Sequence, residues 1–431
     1  MKRFIPLLTV ITLIALAAVV IVIWRLPRQT GSEDRTQPSP LSTPIEDQGS
    51  SLIDEIPIDT ESTPVEWQLN TAKLEAIQAL TTGQLLDQAV EDGGVWLRDY
   101  QAGISGNGVD DGVREALVMQ SLASAYKLTR EESYLDAFRR GVAYFEPVIE
   151  STSSERGILK YFKVDNAVQA NAVALYALAY LDLAEAGVPL SEGEEQTVRG
   201  MIEYIAASWN EEAGVFNNYY LNPWEIGCVD NEHNNGYSLA LLSRADQFME
   251  DEYFLEIAEQ AAQALMISGE EDNFSEANQF FVGGSQAFRQ LFEITQKDIY
   301  FDYLLSFADM MSEGIQTDLS LGVLQANDGL LDSGLITALT GILPLLLQES
   351  PETAARYIDY LSAIFPGAVL ATSDQNDPQD FTIGTTCIPS SCRGSTNPGI
   401  VAFMFQSAVA FESVLTDEQL QQQVNYEFQN E

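Results

Sequence analysis

An all-α fold, a ring of six helical hairpins, is what this 431-residue sequence predicts, with one membrane-crossing helix and a disordered linker ahead of it. Three observations carry the prediction. From Trp67 onward, segments that are apolar nearly all round alternate with segments that have one polar face. Links within each pair are short and begin with helix-start residues, whereas links between pairs are long. The expected organisation is an anchor over 1–26, a linker over 27–66 and one helical domain over 67–431.

The anchor is the most legible element. Lys2 and Arg3 precede a charge-free, mostly apolar run from Phe4 to Trp24, closed by Arg25 and Arg28. A run of about 20 such residues matches the hydrocarbon thickness of a bilayer. It exceeds the apolar core of a cleaved signal peptide, and no small-x-small cleavage site follows it. The expected partner of this segment is the lipid bilayer. Cations flank both of its ends, so they do not set its orientation. The acidic, Ser/Thr/Pro-rich sequence beyond Arg35 points to export of the C-terminal part. The linker that follows, with Pro38, Pro40, Pro44 and Pro57 among Ser, Thr, Asp and Glu, has too little apolar surface to offset its ordering entropy. A flexible chain of that length has an end-to-end distance of ~35 Å.

In the helical domain the apolar segments are Val113–Leu128, Val168–Leu183, Tyr237–Phe248, Ser285–Ile294, Leu330–Leu347 and Gly399–Leu415. The amphipathic ones are Ser133–Ile149, Glu194–Trp209, Glu252–Met266, Ile299–Met311, Pro351–Ile364 and Asp417–Phe428. A helix buried on every side belongs inside, and one with a polar face belongs outside. Thr129-Arg-Glu-Glu132, Ser191-Glu-Gly-Glu194, Ser350-Pro-Glu-Thr353 and Thr416-Asp-Glu-Gln419 read as helix starts, with a hydroxyl cap and acids in the first turn. Short links then gather at one end of the bundle and long links at the other. A further helix, Thr71–Val90, is expected as an N-terminal cover.

Composition narrows function. With 21 Lys+Arg against 64 Asp+Glu the net charge is -43, so clustered cations for phosphate are lacking and nucleic acid is not an expected partner. No His-Glu-x-x-His pattern, Cys/His cluster or EF-hand spacing is present, so no metal and no cofactor is expected. Cys387 and Cys392 are spaced to close a small loop in an exported domain, leaving Cys228 free.

This alternation resembles the (α/α)6 toroid of the six-hairpin glycosidase-like superfamily, over about Gly112 to Phe428. The resemblance is architectural, and no family-defining catalytic motif accompanies it; an open α-solenoid is the alternative. It implies a carbohydrate-active site where inner helices begin beneath the long links. The six starts carry Asn107-Gly-Val-Asp-Asp-Gly112, Lys163-Val-Asp-Asn166, Asp230-Asn-Glu-His-Asn-Asn-Gly236, Asn278 with Gly283 and Gly284, Asn327-Asp-Gly329 with Asp332, and Ser395-Thr-Asn-Pro-Gly399. Asn and Asp are ordinary helix caps, so each alone is weak evidence; together they supply several carboxylates to one mouth.

Glycoside hydrolysis needs one carboxylic acid to protonate the leaving oxygen and a second carboxylate as base or nucleophile. Asp111 or Asp165 paired with Glu232 is the expected couple, with Asp110, Asp328 and Asp332 nearby. His233, the one histidine, lies in a polar stretch suited to proton transfer. Trp96, Asp99, Tyr100, Asn166, Trp224 and Asn235 offer stacking faces and hydrogen bonds for sugar rings. Arg98, Arg114, Lys160, Lys163 and Arg393 read either as an anion site for a uronate or as structural ion pairs. Tyr161 with His233 would serve a uronate lyase. The expected partner is an oligosaccharide or envelope glycan. The competing readings are a non-catalytic glycan-binding or assembly protein, and a lyase or epimerase.

Overall fold

A computed structural model describes residues 84–100, 112–163, 167–217, 219–220, 235–271, 278–316, 329–350, 353–358, 360–361, 383–384, 394–395 and 398–415, all within one compact unit, Glu66–Glu431. The anchor, the linker, Cys228, Cys387 and Cys392 lie outside the described residues. Among the described residues no helix is long and apolar enough to cross a membrane.

The helices fall into two sets. One set is α2 (Gly112–Thr129), α4 (Ala170–Glu185), α6 (Asn235–Met249), α8 (Asn278–Thr295), α10 (Gly329–Glu349) and α12 (Pro398–Leu415). Each packs on the next, and α12 packs back on α2, so the ring is closed. That excludes the open solenoid. The other set is α1 (Gln84–Asp99), α3 (Glu132–Phe145), α5 (Glu192–Ser208), α7 (Tyr253–Glu271), α9 (Asp298–Gln316) and α11 (helical at 353–358 and 360–361).

Burial explains the sorting. In α4 every residue from Ala170 to Leu183 is buried, so this helix is surrounded by protein. In α3 the buried residues are Tyr134, Leu135, Ala137, Phe138, Gly141 and Phe145, one helical stripe with solvent behind it. The shape of the contacts is tight: a Cβ on Gly283 of α8 would lie 2.4 Å from backbone atoms of Gly236 and Tyr237 at the start of α6. Gly283 is therefore a packing glycine that lets two inner helices meet at their N-terminal ends.

The sixth outer helix differs from expectation. α1 packs against both α12 and α3, filling the outer position between the last inner helix and the first outer one. It is part of the ring, and the pairing runs outer helix, long link, inner helix. The predicted Asp417–Phe428 helix lies outside the described residues. The hydrophobic stripe of α1, with Leu97 fully buried, explains its place.

Short turns connect α2, α4, α6, α8 and α10 to the outer helices that follow them. At α5 the Ser191 hydroxyl accepts from the Glu194 amide while the Glu194 carboxylate accepts from the Ser191 amide, the expected reciprocal cap. At α3 the expected cap does not form: Glu131 takes the cap position without a side-chain bond, and the Thr129 hydroxyl donates back to Ala125 O at 2.8 Å. A threonine still inside the preceding helix satisfies its own carbonyl first.

Several long links carry small antiparallel ladders that the helical reading did not anticipate. β1 (Ile149–Ser153) pairs with β2 (Ile158–Phe162), β3 (Ala167–Val168) with β6 (Tyr219–Tyr220), β4 (Trp209–Asn210) with β5 (Val215–Phe216), and β7 (Ile383–Gly384) with β8 (Gly394–Ser395). The β1–β2 hairpin folds back against α5, where Gly200 makes room for Lys160 and the Ile158 carbonyl.

Candidate functional site

Because every inner helix begins after a long link, the six inner N-termini share one end of the ring and their C-termini share the other. Each end holds a polar group of its own.

At the long-link end, α1 ends in Trp96, Leu97, Arg98, Asp99 and Tyr100. The Tyr100 ring lies 5.1 Å from that of Trp96, and its hydroxyl donates to the Glu115 carboxylate. Glu115, in the first turn of α2, is 6% exposed and Tyr100 7%. Trp96 is half-buried against the core, and Asp99 is exposed. Arg114 is half-buried in the same first turn. In α4 the side chain of Asn171 is fully buried one residue into the helix. In α6, Tyr237 is 1% exposed and Ser238 fully buried. Neither hydroxyl finds a partner among the described residues, and burial pushes the Tyr237 phenol well above its ordinary range. Tyr237 is thus held as a neutral hydrogen-bond donor.

Glu115, Asn171 and Tyr237 were not among the residues picked out in the sequence. Their signal was present: a polar residue in the first turn of a mostly apolar helix.

The expected catalytic residues Asp111, Asp165, Glu232 and His233 lie outside the described residues, as do Asp110, Asn166, Trp224, Asp328 and Arg393. Asn235 opens α6 and Asp332 falls in the first turn of α10. Tyr161 departs from its expected role. It is 5% exposed, on the hairpin that packs on α5, with its ring 5.3 Å from Tyr204. Burial, then Glu150, raises its phenol above the ordinary range. Phe162 and Phe216, each 1% exposed, are likewise core anchors.

Three of the scarce cations, Arg98, Lys160 and Lys163, have structural partners. Arg98 donates to Glu131 at 3.2 Å and lies over the Tyr134 ring, between α1 and α3. Lys160 donates to the Thr197 hydroxyl at 2.9 Å, and Lys163 pairs with Glu150 at 2.9 Å. These contacts bind secondary elements together.

At the opposite end the inner helices, apolar nearly all round in sequence, bring isolated polar side chains together. A cavity of about 430 Å³ lies on the ring axis, lined by the C-terminal halves of all six inner helices. Its wall contains a buried charge cluster. Asp182, with its side chain 4% exposed, accepts from Arg244 at 3.0 Å, Lys127 at 3.3 Å and Gln120 at 3.1 Å. Arg244 also reaches Glu185 at 2.6 Å, and Lys127 reaches it at 2.5 Å. Burial alone would raise the Asp182 carboxyl, but Arg244 and Lys127 outweigh it and hold the carboxyl below its ordinary range. A carboxylate kept charged by two cations is a poor proton donor. This cluster locks helices α2, α4 and α6 together. Among the described residues no group of His, Cys, Asp and Glu is arranged to hold a metal ion.

No protein-family model matches the sequence, and no curated protein is significantly similar to it. Solved structures are similar in fold. An α-mannanase of glycoside hydrolase family 76 from Bacteroides thetaiotaomicron superposes with a TM-score of 0.58 at 9% identity, covering 79% of this chain and 99% of that one. An inactive variant of an α-1,6-mannanase from Salegentibacter, with two adjacent aspartates changed to asparagine and α-1,6-mannotriose bound, gives 0.54 at 15% identity, covering 76% and 99%. A cellobiose 2-epimerase from Bacillus thermoamylovorans gives 0.50 at 11% identity, covering 74% and 99%. The closed double ring and these superpositions show that the fold of this chain is an (α/α)6 toroid.

Proposed function

We propose that this protein is a membrane-anchored, extracytoplasmic carbohydrate-active enzyme, a glycoside hydrolase whose site lies at the long-link end of the ring. Closure of the ring carries the reading. It puts the starts of six inner helices around one axis, so acids in the links that lead into them would meet at a common mouth. Asp111 immediately precedes α2, and Asp165 and Glu232 precede α4 and α6 by a few residues. Glu115, Asn171 and Tyr237 would form the floor beneath them.

Support also comes from the mannanase likeness. Two adjacent aspartates are changed in the inactive α-1,6-mannanase, and Asp110-Asp111 is the one adjacent aspartate pair in this sequence. A mannan oligosaccharide is accordingly the first substrate to try. The working couple is Asp111 or Asp165 with Glu232, one carboxyl giving its proton to the leaving oxygen and the other serving as base or nucleophile. His233 would then orient the substrate or assist proton transfer. The apolar run over 4–24 would hold the enzyme to the bilayer, with the linker as a stalk.

The test is turnover by the purified chain on α-1,6-mannotriose and longer mannan oligosaccharides. Hydrolysis that disappears in Asp111→Asn, Asp165→Asn or Glu232→Gln, with folding intact, is expected. If no glycan is cleaved, yet one binds equally well to all three variants, a glycan-binding protein is the better description. The epimerase likeness keeps one second reading in play: conversion of cellobiose without cleavage, lost in a His233→Ala variant, would replace the hydrolase.

A further inference from the structure

We propose that the axial cavity at the short-turn end is a second binding site, for a small neutral polyhydroxylated molecule of monosaccharide or polyol size. It stands on its own observations and does not rest on the reaction proposed for the opposite mouth.

The cavity is large enough for a ligand, since about 430 Å³ falls within the range of small-molecule sites. Its lining gives the chemistry. Three acidic and three basic side chains face it, Asp182, Glu185 and Glu293 against Lys127, Arg244 and Arg289. They already neutralise one another: Lys127 and Arg244 hold Asp182 and Glu185, and Arg289 holds Glu293 at 3.0 Å. The inner helices also turn their carbonyl ends toward this side, which disfavours an anion. No aromatic side chain lines the cavity, so neither a stacked base nor a quaternary cation is selected.

What remains is a wall of amides and hydroxyls, among them Gln247, Gln286, Gln290 and Gln406. An amide offers both a donor and an acceptor, which matches a ligand hydroxyl that is also both. Gln406 adds an unmet demand. It is 7% exposed, and its Oε1 has no hydrogen-bond donor among the described residues. A buried acceptor left unpaired costs roughly 1–3 kcal/mol. The Oε1 atom is sealed from solvent, so a ligand hydroxyl meets it once the terminal amide turns toward the cavity, and that turn recovers most of a hydrogen bond. α10 contributes a second acceptor edge. Pro344 cannot donate to the Thr340 carbonyl a turn earlier, and Arg289 donates to the adjacent Gly341 carbonyl at 2.7 Å. Gly341 itself lines the cavity with open space where its side chain would be.

Saturation-transfer NMR on the detergent-solubilised full chain, with D-mannose, D-glucose and myo-inositol as probes, tests this. Transfer to at least one probe is expected in the wild type and equally in Asp111→Asn. Gly341→Phe, which places a ring in the open volume, should abolish the transfer to myo-inositol and sharply reduce the transfer to the two hexoses, whose remainder would report the long-link mouth. Gln406→Leu should weaken binding about tenfold while leaving thermal stability unchanged or higher, because it removes an unpaired buried acceptor. Transfer to none of the probes in the wild type overturns the proposal, as does undiminished transfer in Gly341→Phe. Should Gly341→Phe fail to fold by circular dichroism, Gln406→Leu decides, and undiminished binding there overturns it. Failure of glycan turnover at the other mouth would leave all these outcomes unchanged.

Discussion

The two ends of the ring use carboxylates in opposite ways. At the short-turn end Asp182 is surrounded by two cations and an amide, and the cluster binds three inner helices to one another. At the long-link end Glu115 is just as buried but accepts from a tyrosine hydroxyl, beside the first turn of α2. Matched charges at the short-turn end lock three helices to one another, whereas the Tyr100–Glu115 bond ties the end of α1 to the first turn of α2. The lesson is that burial alone does not mark a site. The partner does.

Substitutions should separate the two ends cleanly. The largest effect belongs to the long-link end: Glu232→Gln or Asp111→Asn should lower kcat by about 10³-fold, the contribution expected of a general acid or base, with no change in melting temperature. Steady-state kinetics beside calorimetry reads both. A loss of folding without a specific loss of turnover would place these acids with Asp182 as structural charges. At the short-turn end the order reverses. Arg244→Met leaves Asp182 buried with Lys127 as its remaining cation and should cost about 3 kcal/mol in denaturant unfolding. Turnover by the molecules still folded should be unaffected.

Acid titration checks the same cluster with the sign fixed. The Asp182 carboxyl lies below its ordinary value when folded, so its stabilising contribution is complete above the unfolded value near ~3.9. It is lost as pH falls through the lower folded value. Wild-type protein should therefore hold its fold down to about pH 4, as far as this group decides it, and the Arg244→Met variant should unfold at a higher pH. Circular dichroism against pH measures the shift; coincident curves would show that Arg244 does not set it.

Much of the architecture was legible because burial leaves a periodic trace. Helices surrounded on all sides read as unbroken apolar runs, and α2 and α12 were placed within a residue or so at each end. The role of α1 was not legible, because an outer helix at the start of a ring and a cover lying across it carry the same amphipathic stripe. Only its contacts with α12 and α3 distinguish them. The axial cavity was missed for a related reason. Gln120, Asp182, Arg244 and Gln406 are polar residues in four separate helices, far apart in sequence, and only ring closure brings them to one axis. Tyr161 shows the reverse error: an aromatic in a long link looks available until the link folds back as a hairpin and buries it.

Tyr100→Phe probes the intermediate scale. It removes the hydroxyl that donates to Glu115 and should cost about 1–2 kcal/mol, since a buried carboxylate loses one donor. If Glu115 forms the floor of the site, KM for the oligosaccharide should also rise. A stability loss with unchanged kinetics would make the pair structural, like the cluster at the far end.

The smallest expected effect concerns two helix starts that look alike in sequence. Ser191-Glu-Gly-Glu194 and Thr129-Arg-Glu-Glu132 both offer a hydroxyl followed by an acid three residues on, yet only Ser191 closes the reciprocal cap. Ser191→Ala removes an acceptor for the Glu194 amide and should cost about 1 kcal/mol. Thr129→Ala removes a hydroxyl that bonds its own helix at Ala125, and should cost only a few tenths, because interior Ser and Thr back-bonds add little to a helix. Thermal unfolding of the two variants side by side resolves the difference. Equal losses would mean that the Thr129 hydroxyl, through its weaker 3.3 Å contact with the Glu131 amide, anchors α3 after all.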